Sequence, residues 1–204
     1  MSRRLRIDLS SGFIAMLCAY FYFDPANTFF PFCLCVAAHE AGHLVCLRIL
    51  GARIYGIRLS CCGAIICTDV LPYGKEFLAA ASGPFVNFVL FLLCMRSNPL
   101  TSLVSFCLFT YNLLPLYPLD GGRMVRAALH LLLPDAAAEA AQRCIAVLCL
   151  AGLGGFAVYC ACVLHLGLWP VIAFGVLLVR VAGTVLPTRQ SFSRFTVDKS
   201  HHAC

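Results

Sequence analysis

Charge is what this sequence has least of. Only 12% of its 204 residues are Asp, Glu, Lys or Arg, about half the share of a soluble globular domain. With a mean hydropathy of +0.89, that scarcity excludes a soluble fold and leaves a polytopic membrane protein. Acids are the rarer sign, nine against fifteen Lys and Arg, for a net charge of +6. The excess of bases does not indicate nucleic acid, because they fall in short connections between apolar runs rather than along one stripe. Also absent is any C-x-x-C spacing among the 14 Cys, which excludes the usual thiolate zinc site. Most of the cysteines lie inside apolar runs, where a thiol is a small hydrophobe. Cys61, Cys62 and Cys67 fall in a connection that the charge bias assigns to the cytoplasm, where thiols stay reduced. No repeat, no low-complexity tract and no stretch long enough for a separate soluble domain interrupts the apolar pattern.

What is there is a succession of six apolar runs: Gly12 to Phe23, Phe29 to Leu50, Phe77 to Met95, Leu100 to Leu119, Cys144 to Leu164 and Leu168 to Leu186. The expected fold is an all-α polytopic membrane protein with about six transmembrane helices. The first run follows Arg3, Arg4 and Arg6 and resembles a signal peptide. It offers no clean small-x-small cleavage site at Asp24-Pro25-Ala26-Asn27, so it is read as a retained span. Between the second and third runs, Arg53 to Ser60 and Ala64 to Val70 are rich in β-favouring residues around Cys61-Cys62-Gly63, the pattern of a small β-hairpin. The fourth run ends in Pro115, Pro118 and Asp120-Gly121-Gly122, which predicts a broken helix. Arg123 to Leu133 reads as a short amphipathic helix. Residues 1–186 form the expected membrane domain, with its core at 29–123, and 187–204 a polar tail whose His201, His202 and Cys204 read as mobile rather than metal-binding. Six spans put both termini on one side. Arg96 alone falls in a connection on the opposite side and Arg180 lies within a span, while the other bases cluster at the N-terminus, about the second and fourth connections and in the tail. Both termini are therefore expected in the cytoplasm.

Against this apolar background stands His39-Glu40-Ala41-Gly42-His43. On a helix the two imidazoles, four residues apart, share a face and can bind one zinc ion, while Glu40 stays free to act as general base toward water at the metal. The surrounding run is about 33 Å long as a helix. A carboxylate at mid-membrane costs about 2.5 to 3.5 kcal/mol on insertion scales, so functional use is the default expectation.

HExxH supplies two ligands, whereas catalytic zinc usually has three and an open position. Seven of the nine acids lie in loops or flanks, leaving Glu40 within a run and Asp120 at the end of one. Asp120 is the candidate third ligand. It is equally readable as a polar helix terminus beside Arg123. Charge favours the first reading, since a dication with two neutral imidazoles and two ionised carboxylates sums to zero. Asn87 and Asn112 read as interhelical hydrogen-bond partners or as site residues.

The pairing of the HExxH stretch with Asn112-Leu113-Leu114-Pro115-Leu116-Tyr117-Pro118-Leu119-Asp120-Gly121-Gly122-Arg123 resembles the site-2 protease family of intramembrane zinc metalloproteases, and Ser82-Gly83-Pro84-Phe85-Val86-Asn87 fits the same family's intervening span. The resemblance covers a little under half the chain. It implies zinc on His39, His43 and Asp120, Glu40 as base, Asn112 and Asn87 positioning substrate, and a membrane-embedded or membrane-tethered protein as partner. Within the family, the form of the second motif is most like the sporulation branch, whose members release a membrane-tethered sigma-factor precursor. Neither a PDZ insertion nor the C-terminal nucleotide-binding domain of some relatives is expected here. A reading from another class is a catalytically silent membrane zinc-binding or interaction protein of the same fold. Glu40 discriminates, because a binder has no need of a base beside its ligands.

Overall fold

The computed structural model describes residues 6–24, 27–60, 63–165 and 167–185. It is mostly helical, and the chain divides into two compact units, one running through Asn112 and the other starting at Leu113.

The first unit opens with a short strand β1 (Arg6–Leu9) and helix α1 (Ser11–Tyr22), capped by the Ser10 side chain, which accepts from the Phe13 N–H. Helix α2 (Phe29–Ile49) carries the HExxH stretch. Asp24 sits at its N-terminus and accepts from the Phe29 N–H at 2.7 Å and from the Thr28 hydroxyl at 2.7 Å, a carboxylate placed where the helix dipole is positive. The other end closes on Gly51, whose φ of 76° is one that glycine adopts without strain. There the Gly51 N–H donates to Arg48 and the Ala52 N–H to Leu47, the paired bonds of a Schellman cap. The Lys75 ammonium donates to the Leu50 carbonyl at 2.9 Å.

Strands β2 (Ile54–Ser60) and β3 (Gly63–Thr68) form the expected antiparallel hairpin between α2 and α3. The sheet is larger than the sequence suggested: β1 pairs parallel with β2, giving the order β1-β2-β3. A strand of four residues beside a basic terminus has too little alternation to be seen in sequence. Cys67 is disulfide-bonded, which corrects the expectation of reduced thiols in this connection. A compartment rule concerns the redox poise of the surroundings and not which thiols the fold brings within bonding reach. Cys61 and Cys62 lie outside the described residues.

Helices α3 (Tyr73–Cys94) and α4 (Pro99–Asn112) pack on each other and on α2. Phe88, Phe91, Phe106 and Phe109 stack across the α3–α4 seam with centroids 5.0 to 6.4 Å apart. Two hydroxyls and a thiol donate to carbonyls across these seams: Ser102 to Phe91, Ser105 to Asn87 and Cys35 to Thr101. Small side chains let backbones approach, and their donors find partners that lipid cannot offer.

In the second unit, residues 113–119 leave the helical path and α5 (Asp120–Leu132) begins at Asp120 itself. The expected break in the fourth run is present. Then comes α6 (Asp135–Cys162), in which the Ala-rich segment and the fifth apolar run are one continuous helix, and α7 (Trp169–Val185). The His130 side chain is buried and donates to Asp135 at 2.9 Å across the α5–α6 turn.

Among the described residues three helices, α2, α3 and α6, are long and apolar enough to cross a membrane. The other three expected crossings correspond to α1, α4 and α7, with 12, 14 and 17 residues, each shorter than the roughly 20 residues a straight crossing takes. The tail, including His201, His202 and Cys204, lies outside the described residues.

Candidate metal centre

The α2 stripe that faces inward repeats every four residues: Cys35, His39, His43 and Leu47 are buried. Both histidines are 6% exposed. Their rings meet edge to face, with Nε2 atoms 3.1 Å apart. A second four-residue repeat on α3 opposes them, with Ala79, Gly83 and Asn87 buried. Each member of that repeat has a task. The Ala79 carbonyl accepts from His43 Nδ1 at 2.7 Å, and Ser82 Oγ lies 3.3 Å from the same nitrogen while donating to Ala79. Gly83 leaves the space in which the rings sit, since a Cβ there would collide with both His43 and His39. Asn87, with no exposed surface, places its amide 3.1 Å from His39 Nδ1.

A carbonyl can only accept, so His43 Nδ1 carries the proton and its Nε2 presents a lone pair. Imidazoles that bind metal are oriented in this way, the far nitrogen held by an outer acceptor. The donor set, its burial and the backing carbonyl therefore fit a divalent cation such as zinc. Glu40, half-buried, follows His39 on α2 and lies about 100° round the helix from it. Gly42 lets α2 approach α3 closely, as an added Cβ would lie 2.8 Å from Val86 and 3.0 Å from the Ser82 carbonyl oxygen.

In the second unit, Asp120 is 8% exposed and opens α5. The Arg123 guanidinium lies 3.6 Å from its carboxylate, and the carboxylate sits at the positive end of the helix dipole. The preceding segment folds tightly against this helix start. Leu116 and Leu119 are buried, the Tyr117–Pro118 bond is cis, and Gly121 and Gly122 are in contact with the backbone of residues 113–117 where a Cβ would collide. Gln142 of α6 donates to the Gly122 carbonyl at 3.4 Å. Asn112, the last residue of α4, is half-buried, and its amide donates to Leu108 at 3.0 Å.

The sequence named the histidines, Glu40, Asp120 and both asparagines. It missed Gly83 and the Ala79 carbonyl, although the repeat Ala79-x-x-x-Gly83-x-x-x-Asn87 is a small-residue stripe of the kind that lets membrane helices approach closely.

A family model described as peptidase family M50 matches residues 95–152. Zinc metalloprotease MJ0392 of Methanocaldococcus jannaschii is 32% identical over 107 residues, 46% of this chain and 32% of the relative. The match thus spans about a third of that relative's length. Among solved structures, the site-2 protease from Methanocaldococcus jannaschii shares the fold with a TM-score of 0.54 at 23% identity, over 88% of this chain and 86% of that one. The chain is thus similar to peptidase family M50 over residues 95–152 and to a zinc metalloprotease over 107 residues, and it shares its fold with a site-2 protease.

Proposed function

We propose that this protein is an intramembrane zinc metalloprotease that hydrolyses a peptide bond in a membrane-embedded or membrane-tethered protein. The observation that carries the proposal is the His39–His43 pair, two buried rings with converging Nε2 atoms on a helix apolar and long enough to span a bilayer. In this reading Asp120 supplies the third ligand. Asp120 and Glu40 together would balance a dication in a site that lipid surrounds.

Zinc, once bound, polarises the scissile carbonyl and acidifies the attacking water. Glu40 takes the proton from that water and delivers it to the departing amide nitrogen. His39 and His43 are held in orientation by their outer partners, the Asn87 amide and the Ala79 carbonyl. Asn112 holds the substrate backbone near the start of the broken segment. Residues 1–186 form the protease body, crossing the membrane six times with the shorter helices included, and both termini face the cytoplasm, as the distribution of bases supports. The substrate class is a tethered regulatory protein. A sporulation sigma-factor precursor is its specific candidate, supported by the N-x-x-P-x-x-P-L-D-G-G-R form, which looks most like that of stage IV sporulation protein FB.

Co-expression with such a tethered precursor tests the proposal. The wild type should give a smaller product on a gel and Glu40→Gln should not. Equal processing by both would overturn it, and a zinc-loaded wild type inert toward every tethered substrate would favour a silent zinc-binding protein.

A further inference from the structure

The face of α2 turned away from the histidines has a shape of its own. At about 100° per residue, Ala41 and Arg48 lie roughly 160° to 180° round the helix from His39. With Leu44 and Val45 they make a wall that faces Ile54 and Ile57 of β2, and the two walls bound a groove of about 280 Å³. Every lining residue is apolar except Arg48. Helix α2 is long and apolar enough to cross a membrane, and Arg48 stands one residue before its end. The charged end of the groove is therefore at the boundary of the span, and Ala41 lies about 10 Å deeper. Val45 is 58% exposed, and Ala41 and Arg48 are exposed as well. On a spanning helix, what meets such a wall is lipid.

Charge selects the kind of lipid. From Ala41 to Thr68 the sequence has three arginines and neither Asp nor Glu. Arg53, exposed, follows the end of α2, and the Lys75 ammonium is held there by the Leu50 carbonyl. Basic side chains gathered at the end of a span attract anionic headgroups. A guanidinium meets a phosphate through two parallel N–H donors, while its stem packs along apolar surface. A boundary arginine that only reaches water needs no apolar groove below it. We propose that this groove holds one anionic phospholipid, with an acyl chain between α2 and β2 and its phosphate on Arg48. The lipid then braces the back of the helix that carries His39 and His43 and ties it to the sheet. The site is independent of the metal.

The test is native mass spectrometry of the purified full chain in uncharged detergent, titrated with dioleoyl phosphatidylglycerol or dioleoyl phosphatidylcholine. The wild type should retain one phosphatidylglycerol at concentrations where phosphatidylcholine is released. Arg48→Gln should weaken that binding about fivefold or more. Arg96→Gln makes the same change in net charge at an exposed residue beyond α3 and should leave binding unchanged. Val45→Trp puts an indole into the groove from its exposed side, keeps every charge, and should weaken binding at least as much as Arg48→Gln. Equal retention of the two lipids, equal losses in Arg48→Gln and Arg96→Gln, or wild-type binding in Val45→Trp would each overturn the proposal. So would displacement of the lipid by inorganic phosphate, which would make Arg48 a plain anion site. A dimer mass in place of the lipid adduct would give the groove to a second copy of the chain and overturn it too. Should Val45→Trp not fold, the two arginine variants and the two lipids decide alone.

Discussion

Residues 29–112 hold two histidines by keeping helical periodicity, whereas residues 113–123 hold one aspartate by breaking it. In the first region, two four-residue stripes face each other, and each imidazole is pinned by a group one helix away: the Ala79 carbonyl for His43 and the Asn87 amide for His39. In the second, two prolines and two glycines fold the chain against the first turn of α5, and the carboxylate is aligned by a helix terminus and Arg123. Histidine needs orientation, because only one nitrogen can ligate. A carboxylate offers two equivalent oxygens and needs charge placement more. The two regions thus hold their polar groups by different means, a rigid packed scaffold for the imidazoles and a polarised helix start for the carboxylate.

The sharpest way to break the comparison is to remove each half's charge. Asp120→Ala should lower zinc affinity by more than the roughly tenfold to hundredfold expected of an outer partner, and cleavage should fall with it. Full zinc content with full turnover would remove Asp120 from the site. Glu40→Gln should leave zinc bound and the melting temperature unchanged while cleavage drops by about 100-fold to 10,000-fold, the usual contribution of a general base. Loss of zinc in that variant would make Glu40 structural.

A smaller pair of effects separates the two scaffolds. Gly83→Ala presses a methyl group onto both imidazoles. These side chains can rotate, so zinc affinity should fall about tenfold with little change in melting temperature. Gly121→Ala presses on the backbone of Leu113 and Leu114, which cannot yield without moving the segment. There the larger effect should be on stability, about 1 to 3 kcal/mol by thermal or denaturant unfolding. Identical responses from the two variants would mean that both halves are held by the same kind of packing.

The legibility of the molecule follows the same division. Helices α2, α3 and α7 lie within a few residues of their apolar runs because composition alone marks a lipid-facing segment. HExxH is readable because its function depends on an i, i+4 spacing. The break at Pro115 to Gly122 is readable because proline and glycine act locally. Strand β1 was not, since pairing with β2 is a long-range contact, and neither was the use of Gly83, whose part is to be absent from the space His39 and His43 occupy. Asn87 was named as a polar residue in a span, but its partner could not be, because that depends on how α3 lies on α2.

The smallest expected effect concerns how a helical substrate becomes cleavable, since a peptide bond inside a helix is shielded and its donors are paired. The sheet offers one route: an extended substrate adds as a further strand and regains its hydrogen bonds there. Because β2 lies between β1 and β3, Ile57→Pro would disturb ladders on both sides and unfold the sheet rather than report on a free edge. The outer edge of β3 is the better candidate, six residues long against four for β1. Prolines placed singly at Ala64, Ile65 and Ile66 should then alternate in effect. Where the N–H faces β2, proline damages the hairpin; where it faces outward, proline removes one bond to the substrate, worth about 0.5 to 1.5 kcal/mol, and slows cleavage about twofold to tenfold with zinc affinity intact. The measurement is the initial cleavage rate of a helical tethered substrate beside zinc titration of each variant. Three prolines that leave that rate unchanged would exclude strand addition at β3 and leave the broken segment before Asp120 as the place where the substrate helix is opened.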